Sequence, residues 1–444
     1  MKIQDTSVPV VILCCQLGGL AIMRSLGRMG VTVYAVDADL SAPAMTSRYC
    51  RERFPRDLDE ERPGEFLDYL VGIGKKIGRP SILIPTSDET ALFVARYSEE
   101  LSRYFIFPRN EFALVESLAS KKEMFKTASK WSIPTACTLF PEMFEEVEPL
   151  ARSLTFPVVL KGIYGNRLQG RTGKKMQIVH SCEELIEKYK LLEDPQNPNL
   201  MIQEYIPGAD DQVYLFNGYF NRESECLSAL TGRKIRQFPP HFGAACLAVC
   251  ETNRAVADVT TKFIKAIGYR GVVDVEYRLD PRDGLYKVLD INPRVGQLFR
   301  LFATHDDMDL IKLSYLDLTG QNVPTIMPKE GRRWVIEDAD LMSSFDCWRK
   351  DTLGFAEWIR SVKDVKECAW FDFTDPAPFL GAFRRLLKTV VLGSPKHLVP
   401  PKDERTGPGM KARHVNSKIY PIAERIGDVA QESSPFLRMH MQEV

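Results

Sequence analysis

GVVDVEYRLDPRDGLYKVLDINPRVGQ, residues 271–297, reads as a β-hairpin. Val272 to Leu279 is rich in β-branched and aromatic residues, and Leu285 to Ile291 alternates again. Between them lies Asp-Pro-Arg-Asp-Gly, where proline presets φ and glycine supplies the positive-φ position of a turn. Glu276 and Asp290 fall on the two paired strands. Asn292 follows Asp290 at i+2 and Arg294 at i+4, so on an extended strand all three share one face. Two carboxylates and an amide oxygen are hard ligands. Mg²⁺ takes one or two carboxylates and completes its shell with phosphate and water. A neighbouring cation suits a developing oxyanion or acyl phosphate. The plain alternative is a solvated hairpin with ordinary surface charge.

The chain of 444 residues is too long for one ordinary core and predicts two to four structural units. A hydrophobic share of 44% and a charged share of 27% are those of a soluble globular protein. Basic and acidic residues balance at 59 each, so no polyanion partner is implied and nucleic acid is not expected. Ten cysteines are scattered without a CxxC pair, which predicts reduced thiols in a cytoplasmic setting rather than disulfides or zinc. The apolar run from Val8 to Cys15 is too short to span a membrane and lacks the flanks of a signal peptide.

That run predicts a buried parallel strand. A turn at Gln16–Gly19, a helix to Met29 and a strand to Val36 follow, ending at Asp37. The unit has the outline of a dinucleotide-binding start, but Met23 and Arg24 stand where the last glycine should be, so a mononucleotide-type fold without NAD is preferred. Ser81–Pro85 predicts another strand, and Thr86–Glu89 a helix start with capping residues. Asp88 reads first as part of that cap and second as a holder of an acceptor amine. Ser120-Lys121-Lys122 opens an amphipathic helix. Phe156–Lys161 predicts a strand, followed by a basic, glycine-punctuated loop over 162–175 that suits a flap over polyphosphate. Leu200–Gly208 is an apolar strand broken by Pro-Gly. Thr252 to Ile267 predicts a helix. The tryptophan-rich stretch 334–373 predicts a small α+β cap on the main body. The apolar and basic segment 379–392 has two readings, a membrane-surface helix or a helix docked on its own domain, with docking preferred. Residues 401–444 predict a flexible tail.

Taken in order, these elements resemble the ATP-grasp superfamily, in the carboxylate–amine ligase group that includes biotin carboxylase and D-aspartate ligase. The resemblance covers roughly residues 8–320. It rests on Ser120-Lys121 before Pro134, PVVLK at 157–161, IQEYIPG at 202–208, and VEY with LDINPR over 275–294. It implies an α/β ATP-grasp fold in five parts. These are a Rossmann-like pre-ATP-grasp domain (1–118), a linker helix with a small lid subdomain (119–205), a large subdomain with the Mg-ATP site (206–325), a C-terminal extension (326–400) and the tail.

The site is implied residue by residue. Lys121 and Lys161 would contact nucleotide phosphates. Gln203, Glu204, Tyr205 and Ile206 would seat the adenine. Asp211, or second Gln212, would hold the ribose. Glu276, Asp290 and Asn292 would hold Mg²⁺ (or Mn²⁺), and Arg294 would stabilise an acyl phosphate. Arg233 and Lys234 would also reach phosphate. Two departures stand out: the flap lacks a dense glycine run, and position 290 is Asp where many members have Glu. The implied activity is ATP-dependent joining of a small carboxylate to an amine, with ADP and phosphate released. A homodimer is compatible with it. The rival readings are a carboxylase-like enzyme activating bicarbonate, a non-catalytic ATP-binding regulator, and an NAD-dependent dehydrogenase resting on residues 8–37 alone.

Overall fold

The apolar run near the N-terminus forms β1 (Val10–Leu13), every residue of it buried. The computed structural model describes residues 3–392 apart from 60 and 242. β1 joins β2 (Val33–Asp37), β3 (Cys50–Pro55), β4 (Ser81–Pro85) and β5 (Phe105–Ile106) in a parallel sheet of order β3-β2-β1-β4-β5. The chain order reverses between β1 and β4. Crevices outside the carboxyl ends of strands at such a switch point are where open parallel sheets bind ligands. The turn after β1 and the helix Asp88–Arg96 after β4 both begin there, the latter capped by Ser87 and Thr90 in a reciprocal box.

A second, antiparallel sheet holds β6 (Thr138–Leu139), β7 (Val158–Gly162), β8 (Met176–Val179) and β9 (Leu200–Glu204) in the order β6-β9-β7-β8. The connection between β7 and β8 corrects the sequence reading. It is not an open loop: Gly165–Thr172 is a helix, closed by Gly173 at φ 73. Arg167, Leu168 and Gln169 favour a helix, and Leu168 is buried, which anchors it to the sheet.

The third sheet is the largest. β10 (Val213–Phe220), β11 (Cys226–Phe238), β12 (Ala244–Cys250), β13 (Gly271–Leu279), β14 (Tyr286–Asn292), β15 (Arg333–Val335) and β16 (Val365–Cys368) lie in the order β14-β13-β10-β11-β12-β15-β16. Val273, Val275 and Tyr277 face the helix Arg254–Ala266, where the Thr260 and Tyr277 hydroxyls meet at 2.8 Å. The opposite face of β13 therefore carries Asp274 and Glu276. The expected hairpin is present: Gly284 sits at φ 72, and its N–H donates to the Asp280 carbonyl.

The α+β stretch after 326 packs on the main body as expected, and it does so by joining the third sheet. β15 pairs with β12 and β16 with β15, so the segment lengthens the third sheet and covers what would be an open edge. Gly381 of the helix Ala377–Leu392 lies against Pro43, and Arg385 pairs with Asp39 at 2.7 Å, so this helix docks on its own chain. Among the described residues no helix is long and apolar enough to cross a membrane. The tail expected over 401–444 lies outside the described residues. All ten cysteines are unbridged.

Candidate active site

Pairing in the hairpin places Glu276 directly opposite Asp290, and Asp274 opposite Asn292. A bulge makes this so. Tyr277 pairs with Val288, leaving Leu289 as an extra residue and shifting the register by one before Asp290. Without it, Asp290 would fall one position off Glu276 and turn to the other face. The result is a patch of three carboxylates and one amide on the side of the sheet away from the Arg254–Ala266 helix.

Lysines from three other elements reach this patch. Lys121, at the start of the helix Lys121–Lys130, donates to Asp290 Oδ1 at 2.7 Å. Lys234 on β11 is 2% exposed and bonds Glu276 Oε2 at 2.9 Å, with a further contact to the Gly243 carbonyl at 3.2 Å. Lys161 on β7 is buried and forms no ion pair within 4 Å among the described residues. Burial, with the neighbouring Lys121 ammonium, pulls its pKa down to about 8 against the pull of Asp290 and Glu276. Burial pushes Asp290 up, but Lys121 and Lys161 more than reverse this and leave it below the ordinary carboxylate value. Asp274 is different. Burial, reinforced by Glu276, raises it to about 7, although Arg294 and Lys234 oppose the rise. Its Oδ1 accepts from the Asn217 side chain at 2.9 Å.

Arg294 leaves the end of β14 and bonds Asp88 at 2.8 Å through Nε and Asn292 Oδ1 at 3.1 Å through Nη2. Asp88 and Asp274 hold its pKa above the ordinary value despite burial. Burial leaves Asp88 raised even with this partner. The chain must then turn tightly past the patch. A Cβ on Gly296 would sit 2.3 Å from Asp274 Oδ2, so only glycine fits there. The first sheet is close by: a Cβ on Gly18 would meet the Gly296 carbonyl at 3.6 Å.

The expected adenine seat lies at the end of β9. Gln203 is buried and donates to Thr138 Oγ1 at 3.0 Å. The Glu204 carboxylate is committed to protein partners, namely Arg282, the Cys137 N–H at 3.1 Å and Lys287 at 3.7 Å. It is not a free reader of a base edge. Ile206 is buried and Tyr205 half-buried, which leaves backbone groups and apolar walls there. Asp211 is half exposed and lies 3.5 Å from Arg233. Arg233 and Lys234 do not act together: consecutive strand residues face opposite sides, so Lys234 joins Glu276 while Arg233 turns to Asp211 and Glu251. The sequence reading missed Asp274. Its signal was available, since it precedes Glu276 at i−2 and so shares its face.

Among the described residues no group of three or more His, Cys, Asp or Glu side chains is arranged to hold a metal ion by itself. Each of the two central carboxylates is instead held by a lysine. The donor set still suits Mg²⁺ that arrives on a polyphosphate, because such an ion needs only one or two carboxylates and the lysines can turn to the phosphates.

No protein-family model matches the chain. It is 26% identical to D-aspartate ligase of Enterococcus faecium over 297 residues, 64% of this chain and 70% of that one. It is 25% identical to biotin carboxylase 1 of Bacillus subtilis over 313 residues, 66% of each. Among solved structures it superposes on an L-amino acid ligase from Bacillus licheniformis with a TM-score of 0.54 at 16% identity, covering 71% and 75% of the two chains. The biotin carboxylase domain of Hydrogenobacter thermophilus 2-oxoglutarate carboxylase, solved with MgADP, ADP and bicarbonate, gives 0.57 at 15% identity, covering 73% of each. The three sheets, the lysine-held carboxylate pair and these relatives agree: in sequence and in fold the chain is similar to the ATP-grasp carboxylate–amine ligases and their carboxylase kin.

Proposed function

We propose that this protein is an ATP-dependent ligase that activates a carboxylate as an acyl phosphate and joins it to an amine, releasing ADP and phosphate. The observation that carries the reading is the pairing of Glu276 with Asp290 on adjacent strands, each held by a lysine from a different element. Lys161 adds a buried cation without an ion-pair partner among the described residues. A polyanion entering here would take up Lys121, Lys161 and Lys234, and free the two carboxylates and Asn292 for Mg²⁺ (or Mn²⁺). The metal would supply charge neutralisation across the phosphates. Arg294 presents a planar fork suited to two acyl-phosphate oxygens. Catalysis would then be positioning and charge neutralisation rather than covalent chemistry by the protein. Gln203, Glu204, Tyr205 and Ile206 would seat the adenine through backbone groups and apolar walls, with Asp211 on the ribose.

The same reading assigns residues 1–118 to a pre-ATP-grasp domain, 119–205 to linker and lid, and 206–325 to the large subdomain. It has the enzyme in the cytoplasm, acting on small molecules, and is compatible with a homodimer. The test is an ADP-release screen of purified protein with pooled amino acids, small carboxylates and amines, read by mass spectrometry. A condensed product that depends on ATP is expected. NAD-dependent hydride transfer without ADP release would overturn the reading.

A further inference from the structure

Resting on that reading, we infer that the carboxylate substrate carries an apolar chain, which a cavity beside Arg294 receives. The cavity measures about 80 Å³ and lies between β4, the helix Asp88–Arg96, the start of β13 and the helix Leu310–Leu318. Leu83, Ile84, Val94, Val115, Ile311 and Leu318 are among its walls, and only Arg270 and Arg294 of its lining residues carry charge. Arg270 is exposed, and its backbone N–H and carbonyl are both bonded to the Asn110 side chain. Arg294 lines the cavity as well and is bonded to Asp88 and to Asn292 of the reactive patch.

A carboxylate held at Arg294 therefore has a mainly apolar cavity beside it for its remaining atoms. Space of about 10–15 Å³ per water-sized occupant makes room for roughly five to eight heavy atoms. An acidic side chain would lose its hydration there against Leu, Ile and Val, and the other cation of the lining, Arg270, is exposed to solvent and already donates to the Arg109 carbonyl. Branched aliphatic or aromatic chains lose nothing by entering. The expected substrates are apolar amino acids and short aliphatic or aromatic carboxylic acids, not aspartate or glutamate.

Binding without nucleotide tests the cavity apart from the ligase chemistry. Leucine, phenylalanine, hexanoate and aspartate are titrated by calorimetry, with ADP release measured in parallel. At least one apolar carboxylate should bind tenfold or more tightly than aspartate. Ala95→Leu, which fills the cavity from the helix Asp88–Arg96, should weaken that binding at least tenfold. Leu318→Ala, which widens it, should shift preference toward longer chains. A melting curve and Mg-ATP binding near wild type for either variant show that it has folded. Preference for aspartate, no binding of any apolar carboxylate, or binding unchanged in both variants would overturn the inference. Binding as expected with no ADP release would count against the ligase reading alone.

Discussion

At the scale of single residues, Glu276→Gln is the cleanest exchange, because it keeps the shape and removes one of two facing charges. The Mg-phosphate cluster would be under-neutralised, and ADP release should fall roughly a hundredfold or more, the scale of losing one preorganised electrostatic partner. A carboxylate on an ordinary exposed hairpin would instead change stability by under about 0.5 kcal/mol and turnover hardly at all. Arg294→Lys keeps charge but loses the fork, so nucleotide binding should survive while condensation drops. Lys161 supplies a pH test. Its pKa near 8 in the fold lies below the ordinary lysine value of 10.5. The folded chain thus binds fewer protons than the unfolded one between these limits. The apo protein should gain stability as pH rises from 8 toward 10.5, with a penalty on the order of 3 kcal/mol fully present below 8. Lys161→Met should accordingly raise the apo melting temperature at pH 7 and abolish its further rise with Mg-ATP. A variant less stable than wild type that still responds to nucleotide would count against this account. The carboxylates were legible because i+2 spacing on a strand fixes a face. The bulge at Leu289 was not, since one extra residue in a ladder leaves no mark in an alternating pattern.

Among elements, the helix Gly165–Thr172 is the one whose nature the sequence concealed. Glycines 165, 170 and 173 and the cations among them read as an open flap, whereas one buried leucine and a left-handed Gly173 make it a short helix. A local pattern of eight residues is too brief to show a period, and the burial of Leu168 depends on a sheet assembled from distant segments. The strands around it were legible because their apolar runs are longer and bounded by breakers. Such an anchor is thin: in the apo protein, limited proteolysis should cut first between Gly162 and Lys175, and saturating Mg-ATP should slow the cut. Leu168→Ala removes the anchor and should accelerate cleavage several-fold without nucleotide. Cleavage indifferent to nucleotide in the wild type would argue against a closing element here.

Over the whole molecule, what ties the last described hundred residues to the rest is charge as much as apolar contact. Asp340, on the helix Glu337–Arg349, pairs with Arg236 of β11, both almost fully buried. Glu367 of β16 bonds Arg300 at 2.8 Å and also meets Arg332, and Arg300 in turn holds Asp309. Asp375 reaches furthest, back to the helix Leu17–Gly27 and the connection before β3. It accepts from Arg24 Nε at 3.0 Å, Ser47 Oγ at 2.8 Å and the Arg48 N–H at 2.9 Å. Composition could announce none of this, because most of these pairs join residues tens to hundreds of positions apart and neither partner has a local signature. The energetic consequence is asymmetric. A buried pair contributes little against two well-packed apolar residues, but removing one partner strands the other charge without solvent. Asp375→Ala should therefore destabilise the protein by about 3–5 kcal/mol, by leaving the Arg24 guanidinium buried and short of its counter-ion. Asp372→Ala is the comparison, since its Arg28 partner is more exposed and the cost should stay within about 1 kcal/mol. Urea unfolding of both variants decides the matter. Equal midpoints would mean that the C-terminal strands hold to the sheet by backbone pairing and apolar contact alone.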